Sequence, residues 1–240
     1  MRLVTGLQPV REAIRVHGDR LEKVLVEKDG GPQIEAVARF AEGRGAPVTR
    51  VVRGELDRAA KGARHQGAIA YAPDLALVPL DVVIESFAEN RHAVVVALDE
   101  IEDPQNFGAV IRSAVALGAK AILWPEHHSA PLSPATFRAS AGAVEHALLC
   151  RVGSLTSAIE HLKAAGASVL GLDGNAERAI EEVTLEGPVV LVVGAEGKGL
   201  RKPVKRACTE LVKLGMQGPI DSLNASVAAG IALYQVQRRA

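Results

Sequence analysis

The sequence has little cysteine, few aromatic residues and no long apolar run. Its two cysteines, Cys150 and Cys208, are far apart and belong to no Cys-x-x-Cys pair, so we expect reduced thiols, neither a disulfide framework nor a zinc site. Aromatic residues make up 3% of the chain. No apolar stretch reaches the length of a membrane span, and the first residues are amphipathic and charged, unlike a signal peptide. These absences predict a cytoplasmic protein that does not span a membrane.

The formal net charge is zero, because 28 Lys and Arg residues balance 28 Asp and Glu residues. The 240 residues, 48% hydrophobic and 23% charged, have an ordinary globular composition and suffice for one large domain or for a small and a medium one. A small basic excess in residues 1–76 does not by itself indicate nucleic acid. Residues 198–213 are more densely basic and include a single acid, Glu210. The basic residues of this run are Lys198, Arg201, Lys202, Lys205, Arg206 and Lys213. Such a run is typical either of a phosphate-binding surface or of a solvated helix face.

Two adjacent histidines are the candidates for a metal site in the sequence. His127 and His128 are adjacent, so their side chains do not converge on one ion in a strand or a helix, and no third ligand stands near them in the sequence. We expect no metal site.

The sequence does contain an alternation of helix and strand patterns, which predicts an α/β fold in two domains. Residues 1–72 form a small α/β unit, residues 73–80 a proline-containing linker, and residues 81–240 a second domain. Continuous apolar strands at 93–98 and 188–193 indicate a parallel sheet with helices on both faces. Two of the helices predicted in this domain span 134–146 and 176–183.

The turn GARHQG (62–67) has glycines at both ends, which expose Arg64, His65 and Gln66. All three side chains can donate hydrogen bonds. Taken alone, such a turn is usually solvated surface.

Three polar, glycine-bearing stretches follow predicted strands of the second domain. Ligands of parallel sheets bind at the loops that leave the carboxyl ends of the strands, so the three stretches predict one site. They are DEIEDPQNFGAVIR (99–112), GAEGKG (194–199) and LGMQGPIDSLNASVAAGIALYQ (214–235).

In the first stretch, Asn106 is expected to cap a helix, and Gly108 allows close approach to its first turn. Arg112 lies six residues after Asn106 and is expected on the same side of the helix as Asn106. The ordinary role of such an arginine is a weak surface ion pair. The alternative is a guanidinium that points at an oxygen about to lose a proton.

The second stretch lacks both the GxGxxG spacing of dinucleotide-binding folds and the GxxxxGK[ST] pattern of P-loops. Glu196 at its centre would repel a pyrophosphate and suits a ligand with positive charge or hydroxyl groups. A nucleotide-dependent dehydrogenase is therefore disfavoured.

The third stretch predicts a helix that Asp221 or Ser222 caps. Asn224 and Ser226 lie in its first turn, where polar groups are costly if they are buried without partners. Its large apolar residues recur at helical spacing: Leu223, Val227, Ile231 and Tyr234. The helix is either a core helix with a polar cap or part of a binding site.

Together, DPQNFGAVIR (103–112), VVGAEGKGLR (192–201) and the third stretch resemble, in order and spacing, the three signature motifs of the SpoU-type RNA ribose 2′-O-methyltransferases of the SPOUT superfamily. The resemblance covers roughly residues 93–240. The amino-terminal unit, with VTGLQPVREAI and GARHQG, is similar to the ribosomal-protein-like RNA-binding domain of the branch that methylates a guanosine of bacterial 23S rRNA.

The resemblance implies roles for individual residues. Arg112 is similar to the catalytic arginine of the family, and the other positions that match its catalytic motifs are Asn106, Glu196, Ser222 and Asn224. Positions that match the cofactor pocket are Gly194, Leu214, Met216, Ile220 and Leu223. The implied RNA contacts are Arg64, His65 and Gln66. Gly215 departs from the family, whose members often have proline there.

The implied activity is S-adenosyl-L-methionine-dependent methylation of a ribose 2′-hydroxyl, in which a protonated arginine stabilises the forming alkoxide without a metal. The resemblance further implies a deep carboxyl-terminal trefoil knot and a homodimer, to whose interface we assign the small residues Ala225, Ala228, Ala229 and Ala232. Two alternatives remain, a tRNA ribose methyltransferase and a catalytically silent RNA-binding protein. The intact motif residues argue against the silent protein.

Overall fold

The structure is a computed structural model that describes residues 1–219 and 222–238. Its strands are β1 (Arg2–Thr5), β2 (Lys23–Glu27), β3 (Val48–Val51), β4 (Ala68–Ala72), β5 (Val94–Asp99), β6 (Ala121–Pro125), β7 (Leu148–Val152), β8 (Ser168–Leu172), β9 (Arg178–Ala179), β10 (Val189–Gly194) and β11 (Glu210–Lys213). Its helices are α1 (Leu7–His17), α2 (Pro32–Gly43), α3 (Arg53–Ala60), α4 (Leu80–Glu89), α5 (Pro104–Ala116), α6 (Pro134–Ala139), α7 (Leu155–Ala164), α8 (Lys202–Ala207) and α9 (Ala225–Gln237).

The chain divides into two compact units. The first unit is Met1–Ala76 together with Leu132–His146, and the second is Leu77–Pro131 together with Ala147–Ala240.

The first unit contains a four-stranded sheet in the order β1-β4-β2-β3. Strand β4 runs antiparallel to both of its neighbours, and β2 is parallel to β3. Helices α1 and α2 bury an apolar stripe that includes Ile14 and Val37 in one core cluster, whereas Leu56 of α3 belongs to a separate cluster with Ile69. The amphipathic pattern of each helix accounts for this arrangement.

Residues 132–146 join the first unit, although the sequence pattern assigned them to the second domain. The carboxylate of Glu145, only 1% exposed, lies 2.5 Å from Arg2 Nη2 and 2.9 Å from His17 Nε2. The Arg2 guanidinium also lies 5.1 Å from the centre of the Phe137 ring. A buried carboxylate needs a charged partner, and Arg2 of β1 supplies it, so this segment packs where its charge is compensated.

The second unit contains a seven-stranded, entirely parallel sheet in the order β7-β6-β5-β10-β8-β11-β9. Every residue of β5 and β10 is buried, which confirms the fold class that their continuous apolar patterns predict. Phe107 of α5 packs edge-to-face on Trp124 of β6, with 5.4 Å between the ring centres. None of the helices in the described residues is long and apolar enough to cross a membrane.

Two predicted helices are wrong. The helix predicted over 134–146 ends at Ala139, and Ala143–His146 form a separate 3₁₀ turn. The helix predicted over 176–183 is instead strand β9 followed by a 3₁₀ turn, because Arg178 pairs with β11 through the backbone and through a 2.7 Å ion pair to Glu210. Strand β7 was not predicted from the sequence.

The carboxyl ends of β5 and β10 lie side by side, with Gly194 in register with Asp99. Strand β5 leads into α5, and β10 leads into the glycine-rich loop. The connections diverge here, since β6 lies on one side of β5 and β10 on the other. Such a point is where parallel sheets bind ligands.

Candidate active site

Helix α5 begins at this edge of the sheet with a side-chain cap. The carboxylate of Asp103 accepts hydrogen bonds from the backbone N–H groups of Gln105, at 3.2 Å, and Asn106, at 3.1 Å. Pro104 fits the first turn because it has no N–H to satisfy. Asp103 therefore caps the helix, and the prediction that Asn106 does so is wrong. The Asn106 side chain is left available to the site.

Three side chains from the three predicted stretches meet here. Asn106 Nδ2 donates to Glu196 Oε2 at 3.3 Å, and Asn224 Nδ2 donates to the same oxygen at 3.2 Å. Asn224 Nδ2 also donates to Asn106 Oδ1 at 2.9 Å. We call these three residues the amide–carboxylate cluster. It joins side chains 90 and 118 positions apart in the chain.

Asn224 holds the carboxyl-terminal helix at this cluster. Its Oδ1 accepts from the backbone N–H of Ser226, at 3.0 Å, from the Ser226 hydroxyl, at 2.6 Å, and from the N–H of Val227, at 3.4 Å. Asn224 is therefore the N-cap of α9, and the predicted cap at Ser222 is wrong. Ser222 is exposed, and the other predicted cap, Asp221, lies outside the described residues. Sequence reasoning gave Ser226 no role, although its place in the first turn of an apolar helix was a visible signal.

Glycines shape the loop that carries Glu196. A Cβ on Gly194 would lie 2.3 Å from the Gly199 carbonyl carbon, so no side chain fits there. The loop closes through the Gly199 N–H, which donates to the Ala195 carbonyl at 2.8 Å, and Gly197 and Gly199 both have positive φ. This tight closure presents Glu196 at an exposed tip.

Arg201 fastens this loop to the end of β5. Its backbone N–H and its Nε donate to the fully buried Asp99 carboxylate at 2.8 and 2.7 Å, and its Nη1 lies 3.2 Å from Glu100. Burial alone would lower the pKa of Arg201, but its contacts with Asp99 and Glu100 outweigh burial and raise it. Arg201 thus connects the Glu196 loop with the segment that leads to Asn106.

Arg112 is exposed on α5 and makes no hydrogen bond or ion pair with any residue in the described ranges 1–219 and 222–238. The surface ion pair expected of an ordinary arginine is therefore not found among these residues. Six residues of helix correspond to about 600° of rotation, so Asn106 and Arg112 point about 120° apart. The expectation that they share one side of the helix is wrong.

The segment 214–219 forms neither helix nor strand. The backbone N–H groups of Gly215, Met216 and Gln217 donate to no described residue. Two large apolar side chains, Met216 and Leu223, are each 39% exposed. Exposed apolar side chains and unused backbone donors are both groups that an adenosine-like ligand can use. Ile220, which the sequence also predicted to bind the cofactor, lies outside the described residues.

In the first unit, the GARHQG turn keeps only two of its three predicted contacts exposed. His65 is 5% exposed; its Nδ1 accepts from the Gly67 N–H, and its Nε2 therefore carries the hydrogen that points at Asp57 Oδ1, both at 3.0 Å. The prediction that His65 faces RNA conflicts with this burial, because both ring nitrogens are already used to hold the turn. Gln66 is exposed and caps α1 through its Oε1, which accepts from the Leu7 N–H at 3.2 Å, and Arg64 is exposed.

Among the described residues, no group of three or more His, Cys, Asp or Glu side chains could hold a metal ion. His128 lies 3.8 Å from Glu102, and both side chains are largely exposed. Cys150 and Cys208 are free and buried, and burial raises the pKa of each thiol to about 11.

Comparison with protein families gives two matches that together span most of the chain. Residues 93–234 match the SpoU rRNA Methylase family, and residues 3–77 match the RNA 2′-O ribose methyltransferase substrate-binding family. A protein described as an uncharacterized tRNA/rRNA methyltransferase of Mycolicibacterium vanbaalenii is 36% identical over 240 residues, which covers 99% of this chain and 76% of the relative.

Two solved structures are also similar. One is the AdoMet-bound rRNA methyltransferase of Sinorhizobium meliloti, with a TM-score of 0.77, 27% identity and coverage of 98% of this chain and 86% of that one. The other is a structure described in terms of the 2-OH methylation of C/U34 on tRNA. Its TM-score is 0.55 and its identity 30%, and the match covers 62% of this chain and 97% of that one.

Proposed function

Because the chain belongs to the SpoU rRNA methylase family, we propose that it is an RNA methyltransferase that transfers a methyl group from S-adenosyl-L-methionine to a ribose 2′-hydroxyl. The observation that carries the proposal is the amide–carboxylate cluster. It unites the three motif stretches at the one edge of the sheet where a ligand is expected.

The residues present fit the proposed cofactor. Gly194 keeps the sheet edge free of side chains, while the backbone of Leu214–Met216 and the side chains of Met216 and Leu223 offer polar and apolar contacts to an adenosine. Bound S-adenosyl-L-methionine supplies a methyl group on a positively charged sulfur. Glu196 favours such a ligand through its negative charge.

Arg112 and the cluster divide the remaining work. A ribose hydroxyl is a weak nucleophile, and an arginine stays protonated at neutral pH, so the Arg112 guanidinium stabilises the negative charge that develops on the 2′-oxygen. Asn106, Glu196 and Asn224 fix one another's orientation and position the ribose, and Ser222, two residues before Asn224, adds an exposed hydroxyl. No described residue competes for the Arg112 guanidinium.

We also propose a homodimer formed through α9, but not through the small residues named above. Ala225, Ala229 and Ala232 are buried within the protomer, where α9 packs on α5 and β10, and Ala228 is half-buried. The large apolar residues of the opposite stripe are the exposed ones: Leu223 39%, Val227 48%, Ile231 42% and Tyr234 50%. A continuous apolar stripe of this kind is typical of an interface between two copies of a chain.

An rRNA guanosine is the substrate we favour, with a tRNA ribose as the second candidate. The similarity to the S. meliloti rRNA enzyme extends over both units, whereas the similarity to the tRNA-related structure covers 62% of the chain. We assign RNA binding to the first unit, with Arg64 and Gln66 among its contacts, and we place the protein in the cytoplasm, where rRNA is processed. The knotted topology that the family resemblance implies is part of this proposal.

The test is an assay of the purified full-length protein with S-adenosyl-L-methionine and separately with rRNA and tRNA. Calorimetry should give one cofactor site per subunit, and nucleoside mass spectrometry should detect a 2′-O-methylated guanosine in the rRNA. A base-methylated product would contradict ribose methylation. Tight NAD binding without S-adenosyl-L-methionine binding would contradict the cofactor, and methylation of tRNA alone would select the second candidate.

A further inference from the structure

The basic run that follows Glu196 separates, in the structure, into residues with partners and residues without them. Arg201 binds Asp99 and Glu100, and Lys205 Nζ lies 2.5 Å from Asp173 Oδ2. The side chains of the other exposed members make no hydrogen bond or ion pair with any residue that the structure describes; they are Lys198, Lys202 and Arg206. We call these three residues the free basic patch.

The acids near the run do not neutralise the patch. Glu210, the only acid in the run, forms a 2.7 Å ion pair with Arg178. Asp173 is taken by Lys205, and Glu100 by Arg201. Glu196 accepts from the two asparagines of the amide–carboxylate cluster. The three charges of the patch are therefore left over after the carboxylates nearby have been paired.

The helix places two of these charges together. Val204 and Ala207 are the buried residues of α8, and Lys202 and Arg206, four positions apart, share its exposed side. Lys198 belongs to the closed loop whose tip carries Glu196, only two residues earlier. The patch thus begins on the loop that carries Glu196 and continues along α8, which starts at the carboxyl edge of the sheet, where Arg201 meets Asp99.

We propose that the free basic patch binds the phosphates of the RNA strand next to the ribose to be methylated. This inference rests on the proposed function, because it takes RNA as the substrate. Unpaired lysine and arginine side chains beside a reacting ribose match the charge of a phosphodiester backbone, whose neutralisation releases counterions. The patch positions the target strand independently of its sequence, since phosphate contacts carry no base information.

The experiment compares RNA binding by the full-length wild type with a triple variant, Lys198→Gln, Lys202→Gln and Arg206→Gln, over a series of salt concentrations. The slope of log K against log salt is negative, and each lost phosphate contact reduces its magnitude by about 0.7 to 0.9. The triple variant should therefore reduce the magnitude by about 2 to 3. Lys202→Gln alone should lower it by about 0.7 to 0.9. Cofactor affinity and the thermal midpoint should stay at the wild-type values.

The matched control is Arg91→Gln. Arg91 is likewise exposed and without a partner among the described residues, but it precedes β5, at the opposite edge of the sheet. Its slope should equal that of the wild type. If the triple variant does not fold, the double variant Lys202→Gln, Arg206→Gln replaces it, with an expected decrease of about 1.5 to 2.

Failure of the inference differs from failure of the proposed function. An unchanged slope in the triple variant, with a wild type that methylates RNA, overturns the patch and leaves the function standing. The patch is also overturned if Arg91→Gln reduces the magnitude of the salt slope as much as Lys202→Gln does, because any exposed surface charge would then have the same effect. A wild type that neither binds nor methylates RNA overturns the function and the inference with it.

Discussion

Arg112 is the residue on which the proposed chemistry depends most. It is exposed in the second half of α5, and its guanidinium has no partner among the described residues, whereas Arg201, Lys205 and Arg178 all bind carboxylates. A charge left unpaired on the surface of α5, the helix that also carries Asn106, has little to contribute to folding. It is available to a substrate.

Arg112→Ala should therefore lower the single-turnover rate of methylation about a hundred- to a thousandfold, because the guanidinium acts mainly on charge that exists in the transition state. Cofactor affinity, measured by titration, should stay nearly unchanged. Arg112→Lys should restore little activity, since an ammonium lacks the planar fork of donors. Methylation at close to the wild-type rate by Arg112→Ala would remove this residue from the mechanism.

A second residue-scale prediction concerns Asp173 and Lys205. Burial alone raises the pKa of Asp173, but hydrogen bonds from Lys205 and from the Asn175 N–H outweigh burial and hold the pKa below its ordinary 3.8. A lowered folded-state pKa stabilises the fold above the unfolded value, and this contribution is lost as the pH falls through the folded value.

Lys205→Met should thus lower the free energy of unfolding at pH 7 by about 1 to 3 kcal/mol, since it leaves a largely buried carboxylate without its cation. The difference from the wild type should shrink as the pH falls through the lowered folded-state pKa of Asp173, because the protonated carboxyl no longer needs a cation. Urea unfolding at neutral and acidic pH measures both values, with Lys205→Arg as the control that keeps the charge. A difference independent of pH would show that the ion pair is not its origin.

At the scale of the element, the loop after β10 is the part whose shape depends most on one residue. Gly194 ends the central strand, and the Gly199 backbone lies where its side chain would be. Gly194→Ala should force this loop outward, cost about 1 to 3 kcal/mol of stability and weaken cofactor binding.

The matched control is Gly174→Ala, because a Cβ on Gly174 meets nothing within 4 Å and its φ is not positive. Differential scanning calorimetry and cofactor titration of the two variants give the comparison. Equal thermal midpoints and equal cofactor affinities for the two alanine variants would contradict this account of the loop.

Most elements could be predicted from local pattern, and the failures have long-range causes. Pro32–Gly43 and Ser168–Leu172 have the predicted bounds, since their apolar periodicity is unambiguous. Strand β9 was taken for a helix because its strand conformation depends on pairing with β11, more than thirty residues later. Residues 132–146 join the first unit because Glu145 finds Arg2 and His17, which no local pattern reveals.

The site could be predicted only in part, because long-range contacts also determine its geometry. The order of the motifs predicted that Asn106, Glu196 and Asn224 belong together, and the hydrogen bonds unite them. The caps were misplaced by up to three residues, because Asp103, Asn106, Ser222 and Asn224 all have capping side chains and only the fold selects among them. His65 is buried because it satisfies a backbone N–H, a role that its loop position did not indicate.

At the scale of the whole molecule, the apolar stripe of α9 predicts the assembly. Ile231→Asp places a charge at the centre of the stripe, where Val227 and Tyr234 are its exposed neighbours, and should convert the dimer into a monomer. Light scattering at micromolar concentration measures the mass. Val52→Asp, the same change at an exposed valine of the first unit, should leave the dimer intact. A wild-type protein of monomeric mass would contradict the assembly itself.

The central claim is that this protein methylates ribose 2′-hydroxyls of RNA through Arg112. The most direct test maps 2′-O-methylation in the rRNA and tRNA of cells that have or lack the protein. We expect at least one methylated rRNA guanosine to disappear without it, and to return with the wild-type gene but not with the Arg112→Ala variant. Identical methylation maps with and without the protein, in both RNA classes, would contradict the account.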